Sequence, residues 1–214
     1  MCRLLREAAV VEGDCALWLH SSINPKYDVE PPWISALTQA QAASVFVRAY
    51  FRAGRSEDAE LAVAAIQPLI QRGGWSVVAD TEHGPALEEA PSQPMSLILN
   101  GWIYALWGLR DVAVGLRHRE AGEMLGASSE CLLRMLPRYD VGWWTRYSLF
   151  PHMLPDLAKP FYHRLHVCQA EMMYRLTGEE DFRAAAARWL RYDRPARQAR
   201  AVAQKAAFVA SGYR

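Results

Sequence analysis

The stretch SALTQAQAASVFVRAYFRAGRSEDAELAVAAIQPLIQRGG, residues 35–74, decides the fold class. Leu37, Val45, Phe46, Ala49, Tyr50 and Ala53 recur at helical spacing, with Ser35 placed as an N-cap and Gly54 just past the end. Ser56 then reads as the cap of a second helix. Glu57, Asp58 and Glu60 fall in its first turn, where the helix dipole favours acids. Leu61, Ala65, Ile66 and Leu69 line one face, and Gly73-Gly74 closes it. Two helices joined by so short a turn form an αα-hairpin.

The same pattern extends in both directions. Leu97 to Leu109 is apolar nearly all round, which predicts a buried helix whose polar side chains are Asn100 and Tyr104. Residues 112–136 predict one or two helices, broken near Gly126 and restarted at Ser128 or Ser129. Phe161 to Leu176 and Glu179 to Tyr192 predict another pair around Thr177-Gly178, and Pro195 opens a final basic helix. Strand signals are few: a β-like patch at Trp75–Val78, and a helix or strand in the irregular segment before Pro31-Pro32. The predicted class is all-α, built from helical hairpins, with at most a minor β-hairpin. Two long loops, 75–93 and 137–160, are rich in Pro and aromatics, and loops of that length in a compact domain are often functional.

Composition narrows the function classes. The 214 residues fit one domain, and a net charge of +1 gives no argument for nucleic acid or membrane. That neutrality hides an asymmetry. Residues 183–214 carry eight bases against Asp193, and residues 1–182 carry sixteen bases against twenty-two acids. The basic end reads as a solvated face or as a dock for an anionic polymer. No apolar run is long enough to span a membrane, and Glu7, Glu12 and Asp14 interrupt any secretory leader, so the expected location is the cytoplasm. Cys2, Cys15, Cys131 and Cys168 are scattered without a CxxC pair, which predicts reduced thiols and no zinc ribbon.

A chain of helical hairpins is either an α-solenoid or an α/α toroid with chemistry on its rim loops. A solenoid shows a fixed internal period, and none is present here. Four segments then point to a family. PWISALTQAQAASVFVRAY (32–50), LNGWIYALWGLRD (99–111), MLPRYDVGWWTRY (135–147) and FYHRLH (161–166) resemble, in order, motifs of the D-glucuronyl C5-epimerase family. The resemblance covers roughly residues 31–192 and implies the C-terminal toroid domain of that family, here an incomplete one. Residues 1–30 are then an irregular lead and 193–214 a basic C-terminal helix.

The resemblance implies inversion at C5 of D-glucuronate to L-iduronate in an acidic, heparosan-like polysaccharide, without metal or organic cofactor. Removing a proton α to a carboxylate and returning one to the other face needs an acid/base group on each side of the ring. It also needs donors or cations on the developing enolate. Tyrosine serves when neighbouring cations lower its pKa. Carried over by motif, the catalytic candidates are Tyr147, Tyr162 and Glu89. The substrate-binding candidates are Asn100, Arg146, His152, His163, Trp143, Trp144 and Gln41. The partners implied are the polysaccharide and either a second copy of the chain or a β-rich domain lying outside it.

Two positions depart from the family pattern. Ala90 stands where the family has a tyrosine, and Phe150 where it has an arginine. Plainer readings stand beside each candidate. Tyr147 is also consistent with loop packing, and Tyr162, His166, Gln169 and Met173 with a core stripe. Glu89 of a Glu-Glu pair is also consistent with a solvated acid, and the i, i+3 pair His163 and His166 lacks a third metal ligand. The alternative functions are a glycan- or protein-binding module that has lost catalysis, and a uronate polysaccharide lyase.

Overall fold

A computed structural model describes residues 2–212. Helix α1 (Cys2–Glu7) leads into an antiparallel hairpin, β1 (Val10–Glu12) with β2 (Cys15–Leu17). Next come α2 (Ala36–Ala53) and α3 (Ser56–Ile66), then a second hairpin, β3 (Val78–Thr81) with β4 (Gly84–Leu87). Helices α4 (Leu99–Gly115), α5 (Arg119–Met135), α6 (Pro160–Thr177), α7 (Glu180–Leu190) and α8 (Pro195–Ala210) complete the chain. The fold is mostly α, as the periodicity predicts. It holds two small β-hairpins where at most one is expected.

Chain punctuation explains the helix ends. Gly54 at φ 67° and Gly178 at φ 78° adopt the left-handed conformation that lets α2 and α6 stop and reverse. Their N–H groups bond back to the Tyr50 and Tyr174 carbonyls. Pro160 and Pro195 occupy first-turn positions, where a missing N–H costs nothing. Two capping expectations fail. Ser35 holds the N-cap position of α2 without a side-chain cap bond, and Arg55 rather than Ser56 precedes α3. The break expected near Gly126 lies instead at residues 116–118, where His118 caps α5 by accepting from the Ala121 N–H. Gly126 costs some helix propensity, but the apolar face of α5 runs through it.

Helices α2, α4 and α6 pack side by side with α4 in the middle, while α3, α5 and α7 each pack on their hairpin partner. Most of the apolar surface of α4 is consumed: Leu99, Trp102, Ile103, Leu106, Leu109 and Val112 are buried, while Val114 near its end is exposed. The α2–α4 approach depends on Gly108. A Cβ there would lie 2.5 Å from both the Cβ and the carbonyl oxygen of Ala40. Buried Gln39 ties the N-terminal part to this frame. It accepts from the Trp18 N–H (2.9 Å) and donates to the Ala16 (2.7 Å) and Ala65 (3.0 Å) carbonyls. That satisfies backbone groups that burial would otherwise leave unpaired.

Candidate active site

The site forms where the loop before α4 meets the rim loop before α6. Glu88 and Glu89 follow β4 and diverge at once. The buried Glu88 carboxylate accepts from the Ser96 N–H (2.8 Å), the Ser96 hydroxyl (3.0 Å) and the Leu97 N–H (2.7 Å), so it holds the loop that leads into α4. The rim loop is pinned to the same place. Leu99 N–H donates to the Tyr147 carbonyl (3.1 Å), Leu149 N–H to the Ser96 carbonyl (3.1 Å), and the Tyr139 hydroxyl to the Leu97 carbonyl (2.8 Å). The backbone of Tyr147 therefore caps the start of α4, beside Glu89.

Glu89 lies against the first turn of α4. Its Oε2 is 3.4 Å from Asn100 Nδ2, and a Cβ on Gly101 would sit 2.1 Å from the same oxygen. Only glycine at 101 leaves room for this carboxylate, which gives the Leu-Asn-Gly motif a physical meaning. Burial pushes the Glu89 carboxyl up to about 7. Lys26 opposes the rise and Glu88 adds to it.

Tyr147 and Tyr162 meet edge to face with ring centroids 4.9 Å apart. The Tyr147 phenol is raised, not lowered: burial dominates, and Glu89, Tyr162 and Asp156 add to it. Desolvation and the surrounding acids thus give Tyr147 no cation-lowered pKa of the kind a tyrosine base would use. Tyr147 is a phenol, and hence a proton donor, at neutral pH.

The two rings line a cavity of about 210 Å3 with Lys26, Lys159, Lys205, Phe208 and Val209. Lys26 comes from the loop after β2, and Lys205, Phe208 and Val209 come from α8. Beneath the cavity, wholly buried Asp156 accepts from Lys26 (2.5 Å), Lys205, the Tyr27 hydroxyl (3.4 Å) and the Ser148 hydroxyl (3.1 Å). Burial alone would raise its carboxyl, but Lys26 and Lys205 more than offset this and hold it below the usual carboxylate range. Lys26 is itself lowered by burial, against the pull of Asp156.

The other expected binding residues divide. Asn100 is in place beside Glu89. Trp143 is half-buried, with the Arg200 guanidinium 4.0 Å over its ring. His152 packs on Phe150 and Phe208 next to the cavity, and burial lowers its pKa. Arg146 is half-buried among Arg138, Tyr139 and Asp156, outside the cavity lining. Three assignments are corrected. Trp144 is fully buried, stacked on His163 at 3.8 Å, and donates to the Ala158 carbonyl (2.8 Å), so it offers no platform. His163 is also fully buried; its Nε2 reaches the Trp189 carbonyl (3.1 Å) and its Nδ1 the Thr145 hydroxyl (2.8 Å). His166 Nδ1 shares that hydroxyl (3.1 Å), so the histidine pair is a core network, with burial lowering the two rings to about 4 and about 3. Gln41 faces solvent on α2, while its neighbour Gln39 makes the buried bonds.

Ala90 and Phe150, the two positions expected to depart from the family pattern, meet at one apolar cluster. Ala90, 1% exposed, belongs to a small apolar cluster with Tyr27, Val29 and Ile98, onto which Phe150 and Tyr147 pack. Tyr27 meets Phe150 at 5.5 Å. No local motif marks Lys26, Asp156 and Lys205, which are far apart in the sequence and meet only in the fold.

A larger groove of about 600 Å3 runs between α4, α5 and the α6–α7 turn, but Leu106, Leu125, Leu133 and Phe182 make it mainly apolar. The smaller cavity, by contrast, gathers three lysines and two tyrosines. Among the described residues no helix is long and apolar enough to cross a membrane, and no cluster of His, Cys, Asp or Glu has metal-binding geometry.

Fold and site together define a helical-hairpin domain with a tyrosine–lysine cavity between α6, α8 and the loop before α6, and with Glu89 close by at the start of α4. The chain belongs to the D-glucuronyl C5-epimerase C-terminus family, whose pattern matches residues 16–191. It is 29% identical over 197 residues to the D-glucuronyl C5-epimerase of Caenorhabditis elegans, covering 84% of this chain and 32% of that protein. It is 24% identical over 178 residues to an uncharacterized protein of Methanocaldococcus jannaschii, covering 81% of this chain and 56% of that protein. The chain therefore spans about a third of one relative and just over half of the other. Helix α8 lies beyond the matched segment.

Proposed function

We propose that the protein inverts C5 of D-glucuronate residues in an acidic, heparosan-like polysaccharide. The observation that carries the reading is the Tyr147 phenol lining a lysine-rich cavity, with Glu89, its carboxyl pushed up to about 7, acting on that phenol from beside the first turn of α4. A base works best with a pKa near the working pH. Glu89 in its carboxylate form takes the C5 proton, and the electron pair moves into the substrate carboxylate as an enediolate. Tyr147, packed edge to face on Tyr162, delivers its phenolic proton to the opposite face of C5. Glu89 is then protonated and Tyr147 a phenolate, and exchange with water resets both. The reverse reaction uses the same groups with roles exchanged. Asn100 orients the Glu89 carboxylate, and Trp143 flanks the polymer on the rim.

Incubation with glucuronate polymer in D2O tests this directly. Deuterium at C5, with iduronate appearing, is the expected result, and no exchange at high protein concentration sinks the reading. Exchange together with unsaturated-uronate absorbance would favour a lyase, in which the same carbanion expels the C4 substituent. The apolar cluster at Ala90 and Phe150 favours a second reading, a glycan-binding module without turnover; tight polymer binding with no exchange supports it.

A further inference from the structure

We infer that Lys26 and Lys205, set on Asp156 and joined at the rim by Lys159, form a carboxylate-binding subsite, so that α8 is a working part of the cavity. The inference deepens the proposed function, since it names what holds the uronate carboxylate.

Charge balance carries the argument. The side chains of Lys26 and Lys205 are only 16% and 13% exposed, and Asp156 is fully buried. Two ammonium groups share one carboxylate, which leaves an excess of one positive charge in a place poor in water. Asp156 cannot absorb it, because its one negative charge is already matched by one of the two ammonium groups. Aromatic rings enclose the two ammonium groups without neutralising them. Lys26 Nζ lies 4.5 Å from the Tyr147 ring centroid and 5.7 Å from that of Phe208; for Lys205 Nζ the distances are 5.8 and 4.6 Å. Glu89 acts on Lys26 but is itself half neutral near pH 7. Exposed Lys159 adds another positive charge at the mouth. A buried cation left unpaired is costly, so such a site calls for an anion.

Size and position specify which anion. About 210 Å3 is below the ~300–1,000 Å3 usual for small-molecule pockets, so the cavity suits one anionic sugar unit rather than a chain. A carboxylate bridging the two ammonium groups would lie against the Tyr147 ring, beside the group proposed to protonate C5. The lysines also supply a positive charge where Phe150 and Ala90 offer only apolar surface.

The test measures binding by the full chain, without turnover. The probes are a glucuronate-containing octasaccharide and its carboxyl-reduced counterpart, titrated calorimetrically against wild type, Lys205→Gln, Lys205→Arg, Lys159→Gln and the surface control Arg191→Gln. Lys205→Gln leaves Lys26 and Asp156 as a neutral pair, and thermal unfolding checks that it folds. Wild type is expected to prefer the carboxylated probe by tenfold or more. Lys205→Gln is expected to lose most of that preference, Lys205→Arg to keep it, Lys159→Gln to lose about threefold, and Arg191→Gln to match wild type. If Lys205→Gln unfolds, the Lys159→Gln and Lys205→Arg arms still decide. The inference is overturned if wild type does not discriminate, or if folded Lys205→Gln and Lys159→Gln both discriminate as well as wild type. A lysine-dependent preference in a protein that shows no C5 exchange would overturn the epimerase reading and leave this one standing. Exchange by Lys205→Gln with the wild-type KM would do the reverse.

Discussion

Gly101→Ala puts the packing of Glu89 to the test, because propensity and sterics predict opposite signs. Gly101 is in the first turn of α4, where replacing glycine by alanine in a helix ordinarily stabilises by about 0.5–1 kcal/mol. Here the new Cβ would lie 2.1 Å from Glu89 Oε2, 2.6 Å from Glu89 Cβ and 2.8 Å from Glu89 Cδ. Swinging the carboxylate away does not relieve the contact with Glu89 Cβ, which is bound to the backbone. That backbone is held at Glu88 by the bonds from its N–H to the Val77 carbonyl (2.9 Å) and to its carbonyl from the Ala36 N–H (3.0 Å). Overpacking of this kind costs about 1–3 kcal/mol. The net expectation is a loss of about 1–2 kcal/mol, or roughly 2–8 °C in Tm for a domain of this size. Displacing Glu89 by 1 Å is expected to reduce C5 exchange by about 10- to 100-fold. Gly108→Ala is the control. It clashes with the Ala40 backbone far from the cleft, so it lowers Tm while exchange per folded molecule stays intact. Calorimetry and deuterium incorporation read the two arms separately. A Gly101→Ala protein with Tm at or above wild type and full exchange would refute the packing argument.

Three further outcomes follow from the same geometry. Glu89 ionises near 7 when folded and near 4.5 when unfolded, so the folded state binds the extra proton and loses stability as pH rises from about 4.5 to 7. Glu89→Gln is therefore expected to abolish exchange yet raise Tm at pH 8 by a few degrees, with little change at pH 4; a lower Tm at pH 8 contradicts the pKa. Asp156→Asn leaves two buried ammonium groups without a counter-ion, a loss of about 3–5 kcal/mol by denaturant unfolding at pH 7. Because the Asp156 carboxyl is held below its ordinary value, this contribution is present above the usual carboxylate range and fades as pH falls through the folded pKa, so the gap between variant and wild type must narrow in acid. Ala90→Tyr inserts a phenol ring into the cluster of Tyr27, Ile98 and Phe150, and a Tm drop of several degrees without a gain in exchange is expected; a variant with unchanged Tm would show that room for the ring remains.

Much of the architecture was legible locally. Periodicity located the helices, and Gly54, Gly178, Pro160 and Pro195 marked their limits because their backbone preferences act within a few residues. The α5 break was misplaced because an isolated Gly126 is a weak signal beside a continuous apolar face. Site residues in motifs, Tyr147, Tyr162, Glu89 and Asn100, came together in space. Trp144, His163 and Gln41 did not, because composition shows that a residue type is suited to a role but not which way its side chain faces.

The helical-hairpin class, the family and the aromatic and acidic motifs are all written in short-range patterns of the chain. Tertiary structure decided the electrostatics. Residues 26, 156 and 205 share no local pattern, yet the fold buries Asp156 between two lysines and carries α8 back over Tyr147. The rise of Glu89 to about 7 was likewise decided there. It follows from desolvation, and desolvation depends on neighbours that only the folded chain supplies.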